Sequence, residues 1–378
     1  MSASSDLIHL AVALDGTGWH PASWRDAQAR PGDLLTAGYW ADLVGVAERG
    51  LLDFVTFEDR LGSDQRTDRV RGRLDAVLIA SRVAPLSRHI GLIPTVFATH
   101  TEPFHLSKAI ATLDYVSSGR AGVQVRVAPG HVAAALFGRR RDLEPGEQLL
   151  AEAGDYIEVL RRLWDSWEDD AEIRDVASGR FIDRNKLHYI DFDGPWFSVK
   201  GPSITPRPPQ GQPIVAALAH NETAYRLAAE AADIAFVTPH SAAETTAVVD
   251  TIAAARAGGV DPVRVFVDLV VFLADTADAA AARRARLDEL GDAEFTSDAD
   301  IFTGTPAKLA DLLQSLQSAG ATGFRLRPAT LPHDLSQITE GLVPELQRRG
   351  AFRDRYETTT LRQSLGLARP ANRYSAAS

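Results

Sequence analysis

The chain has 378 residues, 45% of them hydrophobic and 24% charged, with a net charge of −10 and no cysteine. Such a length and composition supply one large globular core, and the acidic balance argues against a partner bound through a phosphate backbone, so no nucleic acid is expected. The lack of cysteine excludes disulfides, thiolate nucleophiles and cysteine-ligated metals.

The opening residues, MSASSDLIHL, lack the basic segment and apolar run of a signal peptide. No stretch reaches the roughly 18 apolar residues of a membrane span. A cytoplasmic protein with no membrane contact is therefore expected.

In chain order, apolar runs then alternate with helical patterns. Residues 7–14 read as a first strand and 35–49 as a helix; residues 53–57 and 73–84 repeat the pair. The third strand, 90–97, passes through a polar loop into a helix over 104–116, where Leu106, Ile110, Leu113 and Val116 share one face. Residues 121–127 are a fourth strand and 147–164 a long helix. The alternation breaks over 165–213, whose prolines exclude helix; short strands are expected there at 188–192 and 196–199. It resumes with strands at 213–218, 233–237 and 263–273, followed by helices at 222–232, 242–257 and 277–290. After a second excursion, Thr305 and Pro306 open a helix to residue 319 as cap and first-turn proline. An eighth strand, 323–327, and a last helix, 335–348, complete the series. Eight such parallel units close into a (β/α)8 TIM barrel. The expected organisation is one α/β domain over 1–378, with an insertion at about 165–213 and a C-terminal arm at about 350–378.

In that fold the chemistry sits at the C-terminal ends of the strands. Strand one is followed by Asp15, Trp19, His20, Trp24 and Arg25, and strand two by Glu58, Asp59 and Arg60. Strand three leads to Thr99, His100, Glu102 and His105; strand four carries Gln124 and Arg126 and leads to His131. His220 and Asn221 follow strand five, while His240 and Arg327 belong to strands six and eight. Each has a plainer reading. Asn221 suits the N-cap of the helix after it, and Asp59 can cap its own downstream segment. Arg120 can pair with a carboxylate in a turn, and Arg139–Arg141 reads as a solvated turn. A single histidine is most simply a hydrogen-bonded surface residue; three at one mouth (His20, His100 and His131) suggest a shared site. No HExxH, His-x-His, GxSxG, GxGxxG or Walker sequence occurs, so neither a metal nor a nucleophilic serine is expected. Histidines, an amide and apolar walls suit a protein that orients a cofactor carrying out the hard chemistry.

Specific segments support that reading. They are HPASWR from His20 to Arg25, FHLSKAIATLDYVSSGR from Phe104 to Arg120, LWDSW from Leu163 to Trp167, and GPSITPRPPQG from Gly201 to Gly211. VPELQRRG ends at Gly350, and LRQSLGLARPANRY runs from Leu361 to Tyr374. In these the chain resembles the bacterial luciferase-like flavin-dependent monooxygenases, in the branch containing nitrilotriacetate, dimethyl-sulfide and dibenzothiophene-sulfone monooxygenases. The resemblance implies a barrel binding reduced FMN (FMNH2) delivered by a separate NAD(P)H:flavin reductase. It implies a flavin C4a-peroxide, formed with O2, that inserts one oxygen atom into a small organic substrate, and a homo-oligomer. By position it implies Asp59, Thr99 and Gln124 around the isoalloxazine ring and Tyr156 near the phosphate. His20 and His100 are the candidates for proton management. The family's Gly-x-Ser-x-x-Gly phosphate turn reads here as AHNETA, Ala219 to Ala224, and its Thr-Ser pair after strand four as Val127-Ala128. A bulkier turn approaches an anion less closely; His220, Asn221 and Arg126 are the residues placed to compensate. A deazaflavin-dependent oxidoreductase and a non-catalytic ligand-binding relative are the alternative readings.

Overall fold

The computed structural model describes residues 7–62, 67–138, 146–256, 258 and 261–375; the Arg139–Arg141 turn lies outside them. The strands are β1 His9–Leu14, β2 Phe54–Phe57, β3 Gly91–Phe97, β4 Gly122–Arg126, β5 Glu172–Asp175, β6 Arg180–Ile182, β7 Phe192–Asp193, β8 Ser198–Val199, β9 Ile214–Leu218, β10 Ile234–Val237, β11 Arg264–Leu273, β12 Asp300–Gly304 and β13 Gly323–Pro328. Eight of them close a parallel ring in the order β1-β2-β3-β4-β9-β10-β11-β13 and back to β1. The expected barrel is therefore present, its strands within a few residues of their sequence-based bounds. Threonine, serine, aspartate and asparagine caps set the helix starts, as at Thr36, Asp75, Ser241 and Thr305.

Three elements around the barrel were not expected, and neither were the β5–β6 hairpin and the short helix Leu361–Ser364. β12 pairs with the second half of the ten-residue β11, whose first half belongs to the ring. A seven-residue helix, His131–Phe137, follows β4. The last helix is interrupted by a π turn, Ile338–Leu342, between His333–Gln337 and Val343–Arg348. Pro344 lacks the amide that an unbroken α-helix would need there, which loosens the preceding turn. The insertion is two antiparallel hairpins, β5–β6 and β7–β8, the second close to the strands expected at 188–192 and 196–199.

Alternation along each strand divides the barrel interior into layers. The lower layer is apolar: Ala11, Phe54, Ile93, Ile214, Ala216, Ile234, Phe236 and Phe266. The C-terminal arm closes it from below, with Leu361, Leu365 and Leu367 packed into the same cluster. Gly91 allows this approach, because a Cβ there would stand 2.6 Å from Leu361 Cδ1. Leu361→Ala should therefore cost about 2–5 kcal/mol of stability, the range for truncating a buried leucine. A shifted urea midpoint with an unchanged slope would show it.

Candidate active site

One step above the apolar floor, the inward positions turn polar and charged. Asp268 of β11 and Arg325 of β13 are register partners, and so are Thr95 and Gln124 of β3 and β4. Arg325 is 1% exposed. Its Nε donates to Asp268 Oδ1 at 2.7 Å, its other nitrogens bond Asp268 and Gln124, and Nη1 lies 3.3 Å from Glu58 Oε1. The guanidinium lies 3.8 Å from the centre of the Phe236 ring. Thr56 donates to Glu58 at 2.9 Å, and Gln124 donates to Thr95 at 3.1 Å. Arg327 Nε reaches Asp268 at 3.1 Å, its Nη1 reaches Asp298 at 2.6 Å, and it covers the Trp19 ring at 4.5 Å. Burial alone would raise the Asp268 carboxyl; Arg325 and Arg327 outweigh it and hold it below the usual carboxylate range. Arg327, despite burial, is held firmly charged by Asp268 and Asp298.

Arg126 stands at the top of β4 and differs from its neighbours. Its guanidinium lies 5.7 Å from the Phe97 ring centre and 3.7 Å from Glu58 Oε2, and it makes no hydrogen bond among the described residues. Its side chain is 33% exposed. It reaches over β3 towards β2, away from the turn after β9. Burial lowers its pKa, opposed by Glu58.

Beside this floor opens a cavity of about 470 Å³, within the range of small-molecule sites. The loop after β1, the end of β2, residues 68–74 and the excursion at 291–298 line it. Asp15 in its wall accepts from Arg60 at 2.6 Å and Arg73 at 2.9 Å. These two cations outweigh burial and keep the Asp15 carboxyl below its usual range.

The expected site residues do not converge on one point. Of His20, His100 and His131, His20 alone lines the cavity. It is 1% exposed; its Nδ1 accepts from the Ala22 amide at 3.1 Å and its Nε2 faces Asp288 at 3.2 Å. Burial lowers its pKa against the pull of Asp288, and the two contacts brace the β1 loop against helix Ala277–Leu290. His100 stacks on Phe137 at 5.0 Å and 9°, on the β3–β4 side of the mouth, while His131 is exposed. Thr99 accepts the Ala128 amide at 3.0 Å, tying the ends of β3 and β4. Tyr156 is buried, with its hydroxyl 2.8 Å from Thr101, whose own proton goes to the Phe97 carbonyl. Asp59 accepts the amides of Arg60 and Ala76, the second at the start of helix Ala76–Val83, and burial raises its pKa. Asn221 caps helix Glu222–Ala231 by accepting the Ala224 amide at 3.0 Å, and this turn is exposed. His220 bonds Thr238 at 3.0 Å and lies 3.9 Å from Asp298; burial lowers its pKa against the pull of Asp298. Asp268, Arg325, Asp298 and Arg73 were not singled out from the sequence. The signal for two of them was a charged residue at an alternate position of an apolar strand: Asp268 within VFVDLVVFL, and Arg325, two residues before Arg327, in GFRLRP. Among the described residues no group of three or more His, Asp or Glu could hold a metal, and no helix is long and apolar enough to cross a membrane.

A closed parallel barrel with a polar, arginine-rich floor and a cavity of small-molecule size has the architecture of a TIM-barrel enzyme. Over residues 17–324 the chain matches the luciferase-like monooxygenase family. It is 31% identical to N-acetyl-S-(2-succino)cysteine monooxygenase of Bacillus subtilis, over 99% of this chain and all of that one. It is 30% identical to nitrilotriacetate monooxygenase component A of Aminobacter aminovorans, over 97% of each. Its backbone superposes on that of a long-chain alkane monooxygenase with a TM-score of 0.87, at 24% identity and 95% coverage of each chain. The chain belongs to the luciferase-like monooxygenase family, and is a flavin-dependent monooxygenase.

Proposed function

We propose that the protein is an FMNH2-dependent monooxygenase that takes reduced flavin from a separate NAD(P)H:flavin reductase and transfers one oxygen atom of O2 to a small organic substrate. The observation that carries this is the mouth itself: an incompletely paired guanidinium, Arg126, beside the Phe97 ring and 3.7 Å from Glu58, which lines a 470 Å³ cavity. That donor set fits a planar, anionic ring. Bound there, the reduced flavin supplies the two electrons with which O2 yields one oxygen to the substrate and one to water. The "component A" in the name of one relative supports a second, reducing component.

The chain's own groups have separable tasks. Phe97, Ala128, Ala133 and Leu61 form an apolar cluster that keeps water from one side of the mouth. The Glu58–Arg325–Asp268 network fixes the floor. At the rim, the first-turn amides of Glu222 and Thr223 have no partner within their own helix and suit a phosphate. Asn221 already occupies the Ala224 amide and Glu222 adds a carboxylate, so a weakly held, exchangeable cofactor fits this turn. His220, 37% exposed beside Asp298, takes over the proton handling expected of the braced His20.

Asn221→Asp keeps the cap, since aspartate caps as well as asparagine, but adds a charge beside the phosphate. FMN affinity should fall roughly fivefold to tenfold, the weight of about 1 kcal/mol for one added surface charge. Fluorescence titration measures it; unchanged affinity would move the phosphate elsewhere. The function is tested by supplying reduced FMN or a reduced deazaflavin to the protein with candidate substrates under ¹⁸O2. One ¹⁸O per product with FMNH2 supports the reading. Hydride transfer from the deazaflavin without oxygen uptake would replace it.

A further inference from the structure

We infer that Arg126 makes this site prefer the reduced, anionic flavin to the neutral oxidised one; this rests on the flavin reading above. Three guanidiniums, those of Arg126, Arg325 and Arg327, face the floor, against two buried carboxylates, Glu58 and Asp268. Arg325 and Arg327 spend their donors on those carboxylates, on Gln124 and on Asp298. Asp298 approaches from the rim, half-exposed, and engages Arg327 on the opposite side of the ring from β4. The carboxylate near Arg126 is Glu58, which already accepts from Thr56 and Arg325 and stays 3.7 Å away. Arg126 thus brings a cation to the floor whose hydrogen-bonding capacity the described residues leave unused, in a chain whose net charge is −10.

Its direction separates two roles. β4 lies between β3 and β9, and the turn suited to a phosphate follows β9. Arg126 instead crosses Phe97 of β3 towards Glu58 of β2. It therefore points away from the phosphate turn and towards Glu58 in the cavity wall, the side left for the ring. The oxidised isoalloxazine is neutral, whereas the two-electron-reduced ring carries negative charge at N1 near neutral pH. A fixed cation in a partly dehydrated floor acts on one state and not the other. The phosphate is common to both states, so its contribution cancels in the ratio of the two affinities.

The test is anaerobic titration of the full chain with oxidised FMN and with FMNH2, in wild type, R126Q, R126K and E58Q. Wild type should bind FMNH2 at least about tenfold more tightly than FMN, equivalent to about 30 mV in the bound two-electron potential. R126Q should bring the ratio close to one with little change in FMN affinity, and R126K should keep most of it. E58Q, which removes the neighbouring negative charge, should shift the ratio the other way. Spectroelectrochemistry of the bound flavin gives the same shifts independently. Equal loss of both affinities in R126Q would make Arg126 a phosphate ligand and overturn the inference, as would an unchanged ratio. Wild-type protein that binds neither form would remove the flavin reading itself, a result distinct from either.

Discussion

Asp268→Asn should lower the unfolding free energy by about 3–5 kcal/mol, the cost of breaking a buried ion pair from one side. The residue is 0% exposed and holds two arginines at once, Arg325 and Arg327. An asparagine of the same shape would leave both guanidiniums short of their counter-charge in a layer that water does not reach. The loss should be greatest near neutral pH. Arg325 and Arg327 depress the Asp268 carboxyl in the fold, so its contribution is complete above the unfolded value of about 3.9 and fades as the pH falls through the lower folded one. The difference between variant and wild type should therefore narrow only in acid. Urea melts at neutral pH and in acid measure both. Adding Arg325→Met to the variant should recover part of the loss, since it removes one stranded charge. A fully stable single variant would mean the layer is hydrated.

Arg120→Met is expected to cost about as much, about 3–5 kcal/mol, for a different reason. Arg120 is 3% exposed, and its hydrogen-bond partners are not the turn carboxylate expected from sequence. Its nitrogens donate to the carbonyls of Ala84, Ser87, Ile90 and Ser117 and to Ser87 Oγ, at 2.7–3.0 Å. It thereby joins the end of helix Pro103–Val116 to the turn that enters β3. Methionine fills the volume and strands four carbonyls. Arg120→Lys keeps the charge with three donors in place of five and should recover only part. Thermal melts of both variants check the order wild type, lysine, methionine.

These two arginine-centred networks show what was and was not legible in the sequence. The barrel strands were readable because each is an apolar run bounded by turn residues, as in GLIPTVF of β3. The elements that escaped are those whose signal is short or broken: β12 has five residues, and helix His131–Phe137 has seven. The helix broken by the π turn at Ile338–Leu342 kept its apolar spacing through the fault, so the pattern read as continuous. At the site, topology alone places Glu58, Gln124, Arg126 and Arg327 at or near the C-terminal ends of their strands, as the sequence led one to expect. Partners are another matter. His20 meets Asp288, 268 positions away, a contact invisible in the local sequence. Arg325 and Asp268 lie on adjacent strands whose register no local pattern states. Charge at alternate positions of an otherwise apolar strand was the available clue, and it marks an inward polar layer wherever the strand closes a barrel.

A crystal structure of the protein grown anaerobically with reduced FMN tests the central claim most directly. The account predicts the isoalloxazine ring in the barrel mouth, in contact with Arg126 and Phe97, and the phosphate at the amides of Glu222 and Thr223. A flavin seated outside the mouth, or a mouth left closed at saturating FMNH2, would contradict it.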